Sequence, residues 1–194
     1  RFPVQTVLRP QNEENPDYRG YAGRVASGIF RPGQEIIVLP SGFTSKIKTI
    51  DTFEGALEEA FAPMSVSMTL EDNIDISRGD MIVKDGDLPV IDKQFTANIC
   101  WMDATQLTTS GKYIVQHGIN KVLAKVDKIH YKINPDYSGI ETDVTGLNVN
   151  DIAQVTFKLN KPIFYDQFKN HRTNGSFILI DTQSNNTVGA GFIQ

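Results

Sequence analysis

Apolar residues recur at every second position in short runs along this chain. Turn-forming residues separate the runs about every 8–12 positions, the rhythm of sandwiches and barrels. The alternation predicts strands near Phe2–Leu8, Tyr21–Ser27, Glu35–Leu39, Thr44–Thr52, Glu58–Phe61, Ser65–Leu70 and Asp80–Val83 in the first half. In the second half it predicts them near Gln94–Trp101, Lys112–Gln116, Asn120–Asn134, Asp151–Leu159, Ser176–Asp181 and Thr187–Gln194. The breakers sit where turns are needed. Arg31-Pro32-Gly33-Gln34 combines a preset φ at Pro with a Gly that tolerates φ > 0, and Leu39-Pro40-Ser41-Gly42 repeats the device. His117-Gly118 reads as a tight hairpin. No apolar stripe at helical spacing is sustained, so only one-turn pieces, Glu58–Phe61 and Tyr165–Lys169, are candidates for helix. Pro135–Val149 is the least patterned stretch and is expected to be a long loop.

The pattern is interrupted at Asp85-Gly86-Asp87-Leu88-Pro89-Val90, and a new alternation starts at Phe95. The expectation is an all-β chain of two small closed antiparallel β-barrels, residues 1–88 and 89–194. Closure removes the unpaired edges that two open sheets would leave. Composition agrees with a globular chain: 40% of the 194 residues are hydrophobic and 22% charged. The chain starts Arg1-Phe2-Pro3 with strand pattern and no Met, as a piece cut from a longer protein would.

Charge and cysteine narrow the classes. The net charge is −4 and the pI near 5.4, against the basic excess of a free-standing nucleic-acid binder. The one cysteine, Cys100, lies in the apolar run Ile99-Cys100-Trp101-Met102 and reads as a small buried hydrophobe. One cysteine cannot form a disulfide within the chain, which fits a reducing, cytoplasmic compartment. No run of apolar residues reaches the roughly 20 needed for a membrane helix, so no membrane partner is expected.

Catalytic constellations are missing. No GxxxxGK[ST] loop is present to wrap a triphosphate in backbone N–H groups. Asn120-Lys121-Val122-Leu123 lacks the Asp of a guanine-reading NKxD, and without a phosphate loop Asp143-Val144-Thr145-Gly146 is a chance DxxG match. His117, His130 and His171 lack ligand spacing. The chain is therefore expected to hold no catalytic, cofactor or metal residues of its own.

Two features could serve recognition. Asp75-Ile76-Ser77-Arg78-Gly79-Asp80 is a charged turn leading into a strand, and its simplest role is local hydrogen bonding with a weak ion pair. A basic run, Lys121, Lys125, Lys128, His130 and Lys132, surrounds one strand, and period-2 geometry would put Lys128, His130 and Lys132 on one face. That face is either a solvated surface or a docking surface for an acidic protein or nucleic acid. Contact candidates are Arg78, Asp80, Lys128, His130, Lys132 and Arg172. A guanidinium in a turn can clamp a partner's carboxylate with two hydrogen bonds, or it can tie down its own loop.

A family resemblance rests on residues spread along the chain. Gly23-Arg24-Val25-Ala26-Ser27-Gly28 followed by Pro32-Gly33-Gln34 resembles the second domain of translation-factor-type GTPases. Val38-Leu39-Pro40-Ser41-Gly42, Phe53-Glu54-Gly55, Glu59-Ala60-Phe61-Ala62, the Asp75–Asp80 turn, Trp101-Met102, Phe177–Asp181 and Thr187–Gly191 narrow it. Together they resemble the large, GTP-binding subunit of bacterial sulfate adenylyltransferase. The resemblance implies two barrels of the domain 2 and domain 3 type behind a GTPase domain that is not in this chain. It also implies a parent subunit that uses GTP and Mg and couples GTP hydrolysis to sulfate assimilation, through formation of adenylyl sulfate from ATP and sulfate on a separate small catalytic subunit. The partners implied are the GTPase domain and that small subunit. The alternative implied by the shared barrels is a translation elongation factor binding aminoacyl-tRNA. An adhesion module, read from Arg78-Gly79-Asp80, fits poorly without disulfides.

Overall fold

The computed structural model describes residues 1–10, 18–134, 136 and 138–194. The chain divides into two compact units, Arg1–Leu88 and Pro89–Gln194. The first contains β1 (Phe2–Leu8), β2 (Gly20–Arg24), β3 (Ile29–Phe30), β4 (Glu35–Leu39), β5 (Phe43–Thr52), β6 (Gly55–Ala56), β7 (Ala60–Phe61), β8 (Ser65–Leu70) and β9 (Met81–Lys84). The second contains β10 (Val90–Trp101), β11 (Leu107–Thr108), β12 (Lys112–His117), β13 (Asn120–Ile133), β14 (Ile140–Glu141), β15 (Gly146–Leu147), β16 (Ile152–Tyr165), β17 (Ser176–Asp181) and β18 (Thr187–Ile193). Every strand pair is antiparallel, and there is no helix among the described residues.

Each unit closes on itself. The order β4-β9-β1-β2-β8-β5 returns to β4, and β12-β17-β18-β10-β16-β13 returns to β12. Closure gives each ring strand two hydrogen-bonded neighbours, so no ring strand is left as an edge. Inside the first ring, Phe2, Val4, Tyr21, Phe30, Ile36, Val38, Met68 and Ile82 form one apolar core. Inside the second, Phe95 stacks against Phe157, Tyr165 and Phe177 with centroids 5.1–5.9 Å apart. Trp101 meets Tyr113 edge-on at 5.4 Å, and its indole N–H donates to the Thr105 carbonyl at 2.9 Å. Each ring so buried is worth about 1.5–3 kcal/mol.

Bulges let long strands curve without losing the core. In β5 the register shifts between Ile47 and Thr49, so Ile47 and Ile50, three apart, are both fully buried. In β13 the same device between Val126 and Lys128 buries both Val126 and Ile129.

Several expectations need correction. The two helical candidates are not helices: Ala60–Phe61 pairs with Ile29–Phe30, and Tyr165 ends β16, which runs past the predicted Leu159. The patternless stretch after Asn134 contains β14 and β15, each only two residues long, too short to show alternation. Pro135 and Tyr137, in that same stretch, lie outside the described residues. The short strands β3, β6 and β11 were missed for the same reason.

Two glycines in the first unit serve different needs. Gly33 has φ +80° at the third position of Arg31-Pro32-Gly33-Gln34, where Gln34 N–H donates to Arg31 O at 3.2 Å, a type II turn. Gly23 has ordinary φ, but a Cβ there would stand 2.3 Å from the Pro3 carbonyl oxygen on the neighbouring strand. Backbone cannot move aside as a side-chain tip can. Gly23→Ala should therefore cost about 1–3 kcal/mol and Gly33→Ala about 1 kcal/mol, compared by urea denaturation under circular dichroism. A neutral Gly23→Ala would show that β1 and β2 do not approach this closely.

The second unit has a buried polar anchor. His117, at the end of β12, is 5% exposed, and its Nε2–H donates to the Asn174 carbonyl at 2.8 Å. Asn174 Nδ2 donates in turn to Phe164 O and to the Asp166 carboxylate. Burial holds the His117 pKa below its ordinary 6.5, and the Asn174 carbonyl and the nearby Asp166 charge oppose this only in part. Burial thus favours the neutral imidazole in the fold. Below about pH 6.5 the unfolded chain binds this proton more readily than the folded chain, so the His117 contribution to stability falls as pH falls toward 5 and is flat above about 7. Trp101, the only tryptophan, reports this unit by its fluorescence. Its urea midpoint should decline between pH 7 and 5, and His117→Gln should reduce that slope whatever it does to the midpoint at pH 7. An unchanged slope would remove His117 as its source.

Candidate interaction surfaces

The Asp75–Asp80 turn is tied both to itself and to neighbouring parts of the first unit. Asp80 N–H donates to Ser77 O at 3.1 Å, and Ser77 N–H returns a bond to the Asp80 carboxylate at 2.8 Å. Val4 N–H donates to Asp80 O, and Gly79 N–H donates to Val4 O, so the turn is stitched to β1. Partial burial raises the Asp80 pKa, and the Ser77 N–H bond acts against it. Arg78 Nη1 donates to the Gln5 carbonyl at 2.7 Å, so this arginine ties its own loop to β1. Arg78 and Asp80 are close in sequence, but each is engaged with the barrel.

Beside this turn, Arg19 donates to Asn73 Oδ1 at 2.6 Å and to Asp75 Oδ1 at 2.7 Å, while its Nε is buried without a partner among the described residues. A cleft of about 590 Å³ follows, walled by Arg9, Arg19, Lys48 and Tyr18 but also by Glu71 and Asp72. Its mixed charge and the commitment of Arg19 leave no convergent set for one ligand.

On β13 the expected common face of Lys128, His130 and Lys132 does not form. Register shifts fall on both sides of the stretch, between Val126 and Lys128 and between Ile129 and Tyr131. Lys128 stands opposite Thr156, on the outer side, whereas Lys132 stands opposite Ala153, on the core side. Each bulge inverts the alternation that period-2 reading assumes. His130 Nε2 is bonded to Thr156 Oγ1 at 2.7 Å, and Thr156 Oγ1 also meets Thr96 Oγ1 at 2.8 Å. Lys132 Nζ reaches Glu141 at 3.1 Å and Asp151 at 3.7 Å. Its hydrogen bond to the Glu141 carboxylate raises its pKa, with the Asp151 and Glu141 charges adding to it and burial acting against it. His130 and Lys132 therefore fasten β13 to its own unit. Lys128 is exposed and makes no ion pair among the described residues. Arg172, in the loop before β17, is likewise exposed with no hydrogen bond or ion pair there.

In the linear sequence the first half of β13 shows only a basic run. Its connection to β12 sharpens it. The two-residue link Gly118–Ile119 pairs His117 with Asn120 and sets Lys112 opposite Lys125. Lys112, thirteen positions before Lys125, is a member that the linear run does not show. The signal was present, because a two-residue hairpin determines every later cross-strand pair. Lys125 is in turn opposite Lys158 on β16. Among the described residues no group of three or more His, Cys, Asp or Glu could hold a metal ion, and no helix is long and apolar enough to cross a membrane.

Comparison with known proteins gives these surfaces a context. A family model described as GTP-eEF1A C-terminal domain-like matches residues 94–194. The chain is 44% identical over its whole length to sulfate adenylyltransferase subunit 1 of Bacteroides fragilis, covering 40% of that protein. It is 45% identical to the subunit 1 of Alteromonas mediterranea, again covering 40%, and 41% identical to the bifunctional enzyme CysN/CysC of Mycobacterium tuberculosis, covering 32%. This chain thus spans two fifths or less of these relatives. The solved structure of Sup35 complexed with GDP superposes with a TM-score of 0.85 over 99% of this chain and 46% of that one, at 14% identity, a likeness of fold. Matched by that family model over its second half, and aligned end to end with subunit 1 of sulfate adenylyltransferase, the chain belongs to the GTP-eEF1A C-terminal domain-like family.

Proposed function

We propose that this chain is the two-barrel part of a cytoplasmic sulfate adenylyltransferase subunit 1. In this reading GTP and Mg bind a GTPase domain elsewhere in the parent, and a separate small subunit forms adenylyl sulfate and pyrophosphate from ATP and sulfate. Identity of 41–45% along the entire chain carries the reading. The chain itself is a docking and regulatory module: rigid closed barrels that a nucleotide-dependent domain can reposition as bodies. The absence of GxxxxGK[ST] and the packed barrel interiors support a role without chemistry of its own.

Calorimetry of the 194-residue chain with GTP and Mg should be flat. Micromolar binding would overturn the assignment of nucleotide chemistry to the rest of the parent.

Contacts with partners are made by cations that the barrels leave uncommitted. Arg172 and Lys128 fit that role, whereas Arg78 and Lys132 are engaged locally. In the full-length parent, Arg172→Ala should weaken capture of the small subunit several-fold with an unchanged melting temperature. Arg78→Ala should instead lose about 1 kcal/mol of stability and keep association. The reverse pattern would exchange their roles.

A further inference from the structure

The outer side of the β12–β13 hairpin has an unusual arrangement of charge. Tyr113, Val115, Val122, Ala124 and Val126 point into the core, so Lys112, Ile114, Lys121, Leu123 and Lys125 point outward. Lys112, Lys125 and Lys158 stand directly opposite one another across three adjacent strands. Like charges in directly opposed positions destabilise a sheet. Only Lys158 is relieved, by Asp127 at 2.8 Å, while Lys112, Lys121 and Lys125 have no ion pair among the described residues. Beside this row Ile114 stands opposite Leu123, and Leu123 is 50% exposed. The face is thus an apolar centre with a rim of unneutralised lysines, the layout of a protein interface.

We propose that this face, centred on Leu123 and Ile114 and rimmed by Lys112, Lys121 and Lys125, docks a separate protein chain that presents an apolar side chain among carboxylates. The inference rests on the docking reading above and assigns the face to the small subunit. Nucleic acid is disfavoured, because no aromatic ring stands among the outward residues where β12 and β13 pair, 112–117 and 120–125, for a base to stack on. A domain tethered in the same chain is disfavoured by kinetics. A tether already supplies a high effective concentration, so a tethered domain gains little from long-range attraction. Charge steering accelerates encounter between free molecules, and that is what unpaired rim lysines provide. The partner's carboxylates would also relieve the repulsion along the Lys112–Lys125–Lys158 row.

The test measures association of the full-length parent with the purified small subunit by stopped flow at low and high salt. Lys112→Glu combined with Lys125→Glu should slow association about tenfold or more at low salt, with the difference shrinking at high salt. Leu123→Asp should speed dissociation instead, weakening binding about tenfold or more. All positions are on the outer side, and an unchanged melting temperature of the charge variant keeps folding out of the comparison. Normal association of these variants overturns the assignment of the face. Unchanged association together with altered GTP hydrolysis by the parent alone would give the face to the tethered GTPase domain, which also overturns it. If the unmodified parent does not bind the small subunit at all, the docking reading itself fails, and that outcome is distinct from the other two.

Discussion

Closure of the backbone hydrogen-bond network governs what the rest of this molecule can do. A strand ring must turn through a full circle while its inward side chains fill a narrow lumen. The pairings of β4 with β5 and of β12 with β13 complete the two circles. Curvature of that degree is not available to regular strands, so it is concentrated at register shifts in β1, β5, β10, β13 and β16 pairings and at places where a side chain would obstruct a neighbour. Gly23 beside Pro3 is such a place. Gly191 is another, since a Cβ there would fall 2.4 Å from the Phe177 ring. Gly20 and Gly23 are thus read better as geometry of close neighbours than as a ligand loop, while Gly28, with open space around it, has a turn conformation at φ +79°.

Closure also determines where function can sit. The lumen of the second ring is filled by Phe95, Phe157, Phe177 and Trp101, and that of the first by Phe2, Phe30, Tyr21 and Met68. A filled lumen has no room for substrate, which leaves outer faces and loops as the surfaces available for recognition. Polar groups that are drawn inward are used structurally. His117 and Asn174 satisfy carbonyls and a carboxylate at one end of the second ring, and Arg1 pairs with Asp87 at 3.0 Å in the first.

Strand positions were legible because each long strand has one buried side. Phe2–Leu8, Glu35–Leu39, Ser65–Leu70 and Ser176–Asp181 agree at both ends with the alternation. Two-residue strands such as Ile29–Phe30 and Leu107–Thr108 were not legible, since two residues cannot display a period. The candidate contacts were harder. Whether Arg78 grips a partner or the Gln5 carbonyl depends on a residue seventy-three positions away. Lys132 depends on Glu141 and Asp151 in the same manner. Such pairings come from tertiary structure, and no local pattern encodes them.

The β13 strand shows why a basic run in sequence is not one surface. Up to Val126 its odd positions face outward, so Lys121 and Lys125 join Lys112 through the hairpin register. The bulge at Asp127–Lys128 then exchanges inner and outer sides, and the second bulge exchanges them again. Had the strand been regular, Ile129 would face solvent and the core would lose a residue that is 6% exposed. The bulge that saves Ile129 for the core is the same one that turns Lys128, an even position, to the outer side. Beyond it, Lys132 is turned toward carboxylates of its own unit. A single strand thereby carries an outward charged surface at one end and an internal fastening at the other. The demand of the core for Val126 and Ile129 sets the first shift, and the second, between Ile129 and Tyr131, sets Lys132 on the core side.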